Sequence, residues 1–193
     1  MRTLAKDELK VVEAKLKAYM GDNVEAFLQN RLLLHRCRVF VVPELVYRYS
    51  SMIPRSKMLT MGTCLGKFTK TKKFRLQITG LNYLAYYTNN KVWVKQNAEM
   101  SFLYGNHLIK RHIQKVQLTP NAGEGDNHVG CVIYSTINDV PLGFGIINKN
   151  YNQVKNTDAI VAYNQGDNGL YVRQEKEIFG LSTPNDLREH DNE

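Results

Sequence analysis

The sequence predicts an α+β protein in two parts, a basic N-terminal half of mixed helix and strand followed by a strand-rich half. Three observations carry this. Charge is unevenly spread: residues 1–91 hold 17 Lys and Arg against 6 Asp and Glu, a net +11, whereas residues 92–193 hold 9 against 12. The hydrophobic pattern changes from helical spacing early in the chain to short apolar runs separated by glycines and polar turns after residue 91. With 193 residues and 43% hydrophobic content, the chain suffices for two cores of about 90 to 100 residues each.

Taken in order, residues 6–20 bring Leu9, Val12, Leu16 and Tyr19 onto one helical face. Thr3 or Asp7 is the expected cap and Gly21 the stop. A shorter helix is expected at 23–30, a strand at 36–42 ended by Pro43, a helix at 44–51 and a loop at Ile53-Pro54-Arg55. Within 58–80, strands are expected at 58–61 and 74–79, joined by a basic loop. Phe74 belongs to the core there, because it continues the alternation with Leu76 and Ile78. Leu81–Tyr87 reads as a helix and Thr88-Asn89-Asn90 as a linker, so a fragment starting near Lys91 is expected to fold alone. Strands then recur at 92–95, 129–134, 142–147 and 159–163, the spacing of a small β-barrel or sandwich. One short helix from Asn106 to Ile113, capped by Asn106, interrupts them. Residues 120–128 are expected to form a flexible loop, and the tail after Gly180 is acidic and expected to be mobile.

A net charge of +8, concentrated in the first half, calls for a polyanionic partner, of which nucleic acid is the commonest. Apolar runs such as Val39–Val42 are far too short to cross a bilayer, and MRTLAKDELK is not a secretory signal. A soluble intracellular protein with no membrane contact is expected. Cys37, Cys64 and Cys131 are odd in number, far apart and without a C-x-x-C, which predicts reduced thiols rather than a disulfide framework or zinc site. Gly62-Thr63-Cys64-Leu65-Gly66-Lys67-Phe68-Thr69 resembles a phosphate loop. It has one residue too few between the glycines and Phe68 where Ser or Thr must follow the lysine. The same stretch is better suited to RNA. Lys67, Lys70, Lys72, Lys73 and Arg75 lie close together, interleaved with hydroxyls that supply phosphate contacts. His107 and His112 are five apart, off the spacing of a helical metal pair, and His107 by itself reads as structural. Cys64 is expected to pack in a turn between strands. No nucleophile, base and orienter assemble from the pattern, so a non-enzymatic protein without cofactor or metal is expected.

Several stretches carry a family resemblance. Gly62–Thr71, Lys73-Phe74-Arg75-Leu76, Lys91-Val92-Trp93-Val94-Lys95, Ser101–His107 and Asp139–Gly145 resemble the signatures of the "nuclear import protein seven" family of 60S ribosomal subunit biogenesis factors. The likeness spans about residues 1–179, with departures at Gln96, Asn168 and Leu170. It implies an N-terminal α/β sandwich-like domain at 1–90, a C-terminal PUA-type β-barrel domain at 91–179 and an acidic tail at 180–193. It also implies a non-catalytic RNA-binding factor in the nucleolus and nucleus, and also in the cytoplasm, needed for pre-rRNA processing. Its partners would be the pre-rRNA of the large subunit and other pre-60S assembly factors, joined as a monomer entering a large ribonucleoprotein particle. Candidate RNA-contacting residues in the second half are Asn106, His107, Lys110, Arg111, Lys149 and Lys155. The competing reading is a protein-interaction adaptor whose basic half docks an acidic partner, RNA contact being incidental. An RNA-modifying enzyme is a third reading, and it lacks a catalytic domain.

Overall fold

The computed structural model describes residues 1–58, 60–119 and 128–175. Nearly all of the expected 120–128 loop and the acidic tail lie outside these residues.

The first half is built on an antiparallel sheet of five strands. These are β1 (Arg2–Thr3), β2 (Arg31–His35), β3 (Arg38–Val42), β4 (Thr63–Phe68) and β5 (Phe74–Leu76), adjacent in that order. One face is covered by α1 (Lys6–Met20), α2 (Val24–Phe27) and α4 (Leu81–Tyr87). Part of the other face lies under α3 (Glu44–Ser50), where Leu33, Phe40, Val42 and Cys64 pack with Tyr47 and Met61. Helix α1 forms as its sequence predicts and buries Val12, Leu16, Tyr19 and Met20. Its start differs from expectation: neither Thr3 nor Asp7 caps it. The Glu8 carboxylate accepts the Ala5 N–H at 2.8 Å and is itself held by Arg2 at 2.6 Å. The guanidinium and the backbone bond hold the Glu8 carboxyl at about 2. Gly21, at φ +57°, ends the helix as expected.

Three stretches of this half depart from the sequence reading. Arg36 and Cys37 are not part of a strand. Both have positive φ, 46° and 61°, and make the two-residue turn of a hairpin whose first strand, β2, was not anticipated. The expected strand at 58–61 is not found among the described residues, and the first part of the expected basic loop is β4, leaving the turn to residues 69–73. Gly62, at φ +77°, turns the chain so that pairing with β3 begins at Thr63. Beyond Leu76 the expected strand gives way to a 3-10 turn at Ile78–Gly80, because Thr79 Oγ1 and Gln77 N–H donate to the carbonyls of Cys64 and Leu65 and fold the segment back onto β4.

The second half is a curled, half-barrel sheet of the PUA type. Its strands are β6 (Lys91–Val94), β7 (Leu108–Ile109), β8 (Ile113–Gln117), β9 (His128–Ser135), β10 (Pro141–Asn148) and β11 (Ile160–Asp167), in the order β7-β11-β10-β9-β6-β8. Among the described residues of this sheet, only β6 and β9 run parallel. The helix expected at 106–113 is not there. It lies at α5 (Gln96–Leu103), where Ala98 and Phe102 bury one face at i, i+4 spacing. Gly105, at φ +95°, turns the chain after α5, and the following residues extend so that Ile109 pairs with Ile160. Asn106 is therefore not an N-cap. A last short helix, α6 (Leu170–Arg173), is clamped by Arg173, whose guanidinium reaches both oxygens of the buried Asp167 at 2.9 Å.

One core runs through both halves. Val12, Leu16 and Tyr19 of α1 and Leu84 of α4 meet Val132, Tyr134 and Phe144 of the second sheet. Tyr19 and Phe144 pack edge to face, with centroids 5.9 Å apart. Thr88-Asn89-Asn90 passes from one sheet to the other, but as a bonded bridge. Thr88 Oγ1 donates to Tyr19 O at 2.6 Å, and the buried Asn90 donates to Gly130 O and accepts from Thr119 N–H and Oγ1.

Candidate RNA-binding surface

Directly opposed residues of an antiparallel ladder share a face. Val39 and Val41 of β3 enter the main core, so Phe40, Val42 and Arg38 face the other way. Arg38 is opposed by His35 on β2 and by Lys67 on β4, and Lys67 by Arg75 on β5. Four basic side chains thus form a row across four strands on the outer face, and at its β2 end His35 lines a cavity with Tyr47 and Ser50 of α3. The position of Lys67 depends on a β-bulge. Pairing shifts between Val39 and Phe40, leaving Leu65 as the extra residue of β4. Cys64 and Lys67, three apart, would face opposite sides of a regular strand; the bulge puts both on the outer face.

The β4–β5 turn adds Lys70, Lys72 and Lys73, all exposed. It is held by its own bonds: Thr69 N–H to Lys73 O at 2.9 Å, Lys72 N–H to Thr69 O at 2.8 Å, and Lys73 N–H to Thr69 Oγ1 at 3.1 Å. Lys72 is near enough to Glu8 to help hold its carboxyl low. The turn is joined to the β2–β3 turn by Phe68 N–H donating to Cys37 O at 2.7 Å. No acidic residue occurs between Glu44 and Glu99, so the electrostatic field at this end of the sheet is dominated by cations. Phe74 is buried as expected, and Phe68 is half-buried against it, with centroids 5.4 Å apart. Phe68 belongs to the core side and is not an outward stacking ring. Cys64 is not in a turn. It is buried in β4, its thiol donates to Gln77 Oε1 at 3.0 Å, and burial pushes its pKa up.

The candidates of the second half are dispersed. Lys110 and Arg111 lie in a single 3-10 turn, Lys110–His112, and not on the longer helix expected from Asn106 to Ile113. Lys110 Nζ donates to the carbonyls of Asn152 and Val154, and Arg111 pairs with Asp158 at 2.9 Å, so both brace the β10–β11 connection. Lys149, half-buried, and Lys155, exposed, lie on that connection. Asn106 donates to Ser101 Oγ, and His107 Nδ1 accepts from Asn164 N–H at 3.3 Å. His107 and His112 do not share a helix, so the spacing on one helix does not describe them. Sequence reasoning missed Tyr163, which lies on β11 with the His107 ring 5.2 Å away and the His128 ring 6.1 Å away. Tyr163 is 37% exposed, and such a ring can meet a nucleobase face. It also missed His35, Arg36 and Arg38. Their signal was two apolar runs, RLLLH and RVFVV, around a two-residue turn.

Comparison with known proteins fits this architecture. Residues 1–78 match the NIP7/UPF0113 pre-PUA domain and residues 90–176 the UPF0113 PUA domain. The 60S ribosome subunit biogenesis protein NIP7 of Saccharomyces cerevisiae is 41% identical over 186 residues, covering 93% of this chain and 99% of the relative. The chain belongs to the NIP7 family. The NIP7 homolog of Xenopus tropicalis is 42% identical over 91% of this chain and 98% of its own. Among solved structures, a conserved PUA domain protein from Thermoplasma acidophilum matches with a TM-score of 0.52 at 15% identity, over 90% of this chain and 97% of that one. That likeness concerns the fold. Within the NIP7 family frame, the cationic end of the first sheet lies in the pre-PUA half and Tyr163 in the PUA half.

Proposed function

We propose that this protein is a non-catalytic RNA-binding assembly factor of the large ribosomal subunit. It would act on pre-rRNA within pre-60S particles, in the nucleolus and nucleus, as a monomer joining them. Near-full-length identity of about 40% to proteins named as 60S biogenesis factors carries the reading. The cationic row and turn give it a physical route, because lysines and arginines that neutralise phosphates release condensed counterions. Lys67, Lys70, Lys72, Lys73 and Arg75 are the primary contacts; Asn106, His107, Lys149 and Lys155 are secondary. Lys110 and Arg111 act indirectly, by holding the connection that carries the last two.

The non-enzymatic reading rests on what the candidate groups do. Cys64 is buried and bonded to Gln77, the phosphate-loop-like stretch is a turn at Gly62 followed by the strand Thr63–Phe68 with no helix N-terminus to cradle phosphate, and Asp167 is spent on Arg173. Depleting the protein from its own cells should lower free 60S subunits relative to 40S in sucrose gradients and accumulate large-subunit rRNA precursors. Crosslinking with sequencing should recover that precursor RNA. An unchanged subunit ratio after depletion would overturn the assignment.

A further inference from the structure

The basic turn lysines do not stand alone. The sheet places Arg38 directly opposite Lys67, and Lys67 opposite Arg75, so three cations step across β3, β4 and β5, with His35 continuing the row onto β2. Strand spacing fixes this ladder at about 4.8 Å per step, roughly 14 Å from end to end. Arg36 is exposed at the tip of the β2–β3 turn, and that tip is bonded to the lysine-bearing turn through Phe68 N–H and Cys37 O. The two turns and the ladder are therefore one preorganised surface.

We propose that this surface binds the backbone of double-stranded RNA, with Arg36 and Arg38 as contacts equal in weight to the lysines. This rests on the RNA-binding reading above. Two features favour a duplex over a single strand. No phenylalanine of the ladder faces outward: Phe68 and Phe74 enter the main core, Phe40 is buried with α3, and the one ring on the outer row is the half-buried His35 at its end. Single-strand binders depend on such rings as stacking platforms, whereas duplex RNA is held through phosphates and 2′-hydroxyls without base readout. The array is also rigid. Its charges sit on paired strands and on a turn fixed by Thr69, which suits a regular helix of phosphates better than a flexible chain. The exposed Thr71 hydroxyl stands beside the lysines as a partner for a 2′-hydroxyl.

The test uses the full chain, a mixed-sequence RNA duplex of about 20 base pairs, longer than the ~16 a duplex-binding domain spans, and a single strand of equal length. Wild type should hold the duplex more tightly. Arg36→Ala with Arg38→Ala should make the duplex salt slope shallower by up to about 0.9 for each phosphate no longer neutralised, and Arg36→Lys with Arg38→Lys should keep it. If Lys70→Ala, Lys72→Ala and Lys73→Ala together weaken RNA binding but the arginine change does nothing, the extended surface is wrong and the RNA reading stands. If neither set changes binding, RNA is held elsewhere on the chain and this surface falls, while the RNA-binding reading stands. Tighter binding of the single strand overturns the duplex assignment. A measurement without substitution guards against misfolding: saturating duplex should slow modification of Cys37, the exposed thiol between the two arginines. Unslowed labelling in wild type overturns the proposal.

Discussion

The three cysteines share a chemistry but not an environment. Cys37 is exposed in the β2–β3 turn, whereas Cys64 and Cys131 are buried. Burial pushes the Cys131 thiol up to about 12 and also raises Cys64. Thiolate is the reactive form, so a thiol reagent at neutral pH should titrate one fast group per native chain and three after unfolding. Two fast groups would contradict the placement of β4 or β9. The same shift has a consequence for stability. A folded-state pKa above the unfolded value means stability is intact below the unfolded thiol pKa of about 8.5 and falls as pH rises toward the folded value. Denaturation midpoints should therefore drop between neutral and strongly alkaline pH. One thiol accounts for up to about 1.4 kcal/mol per pH unit. Cys131→Ala should make the drop shallower, whatever it does to stability at neutral pH; an unchanged slope would remove Cys131 as its source.

Among elements, the β4–β5 turn lets charge and geometry be separated. Thr69 carries no charge, yet its hydroxyl accepts from Lys73 N–H and lies 2.9 Å from Thr71 Oγ1. Thr69→Ala should cost the protein about 1 kcal/mol or less while reducing RNA affinity and speeding amide exchange at Lys73. If affinity is untouched while exchange rises, the turn need not be preorganised. The elements also show what a sequence can display. Helices α1 and α4 and strands β6, β9 and β10 were legible, because each carries an uninterrupted periodic or apolar signal between turn residues. The β2–β3 turn was not, because Arg36 and Cys37 lack the glycine or asparagine that marks positive φ. Helix α5 was not, because QNAEMSFL gives only two buried positions, while the Tyr104-Gly105-Asn106 cluster downstream imitates a helix start. At the candidate surface, the lysine cluster was visible in one dimension. Its union with Arg38 depends on strand register and a bulge, which local sequence does not encode.

At the scale of the whole molecule, the two halves differ in charge and texture yet share one core, and their contact is closest where Gly130 of β9 meets α1. A Cβ at Gly130 would fall 2.6 Å from the carbonyl oxygen of Ala18 and 2.7 Å from the Tyr19 ring. Backbone oxygen cannot swing aside as a flexible side chain can, so Gly130→Ala must push α1 and β9 apart. Overpacking of this kind costs about 1–3 kcal/mol. The displacement would propagate to the Tyr19–Phe144 contact and to Thr88, whose hydroxyl is bonded to Tyr19 O. Because Tyr134 and Phe144 are buried against α1 and α4, a fragment of residues 91–180 would expose them and should be less stable than the same residues in the full chain. Trp93 reports on this seam: it is the single tryptophan, it stacks on Tyr134 at 5.8 Å, and its indole donates to Asp139 at 2.6 Å. In the full chain, loss of Trp93 fluorescence and loss of helical circular dichroism should follow one denaturation curve. Gly130→Ala should move both midpoints down together. Two separate transitions in wild type, or a Gly130→Ala chain as stable as wild type, would mean that the halves are joined only by the chain between them and that α1 does not rest on β9 as described.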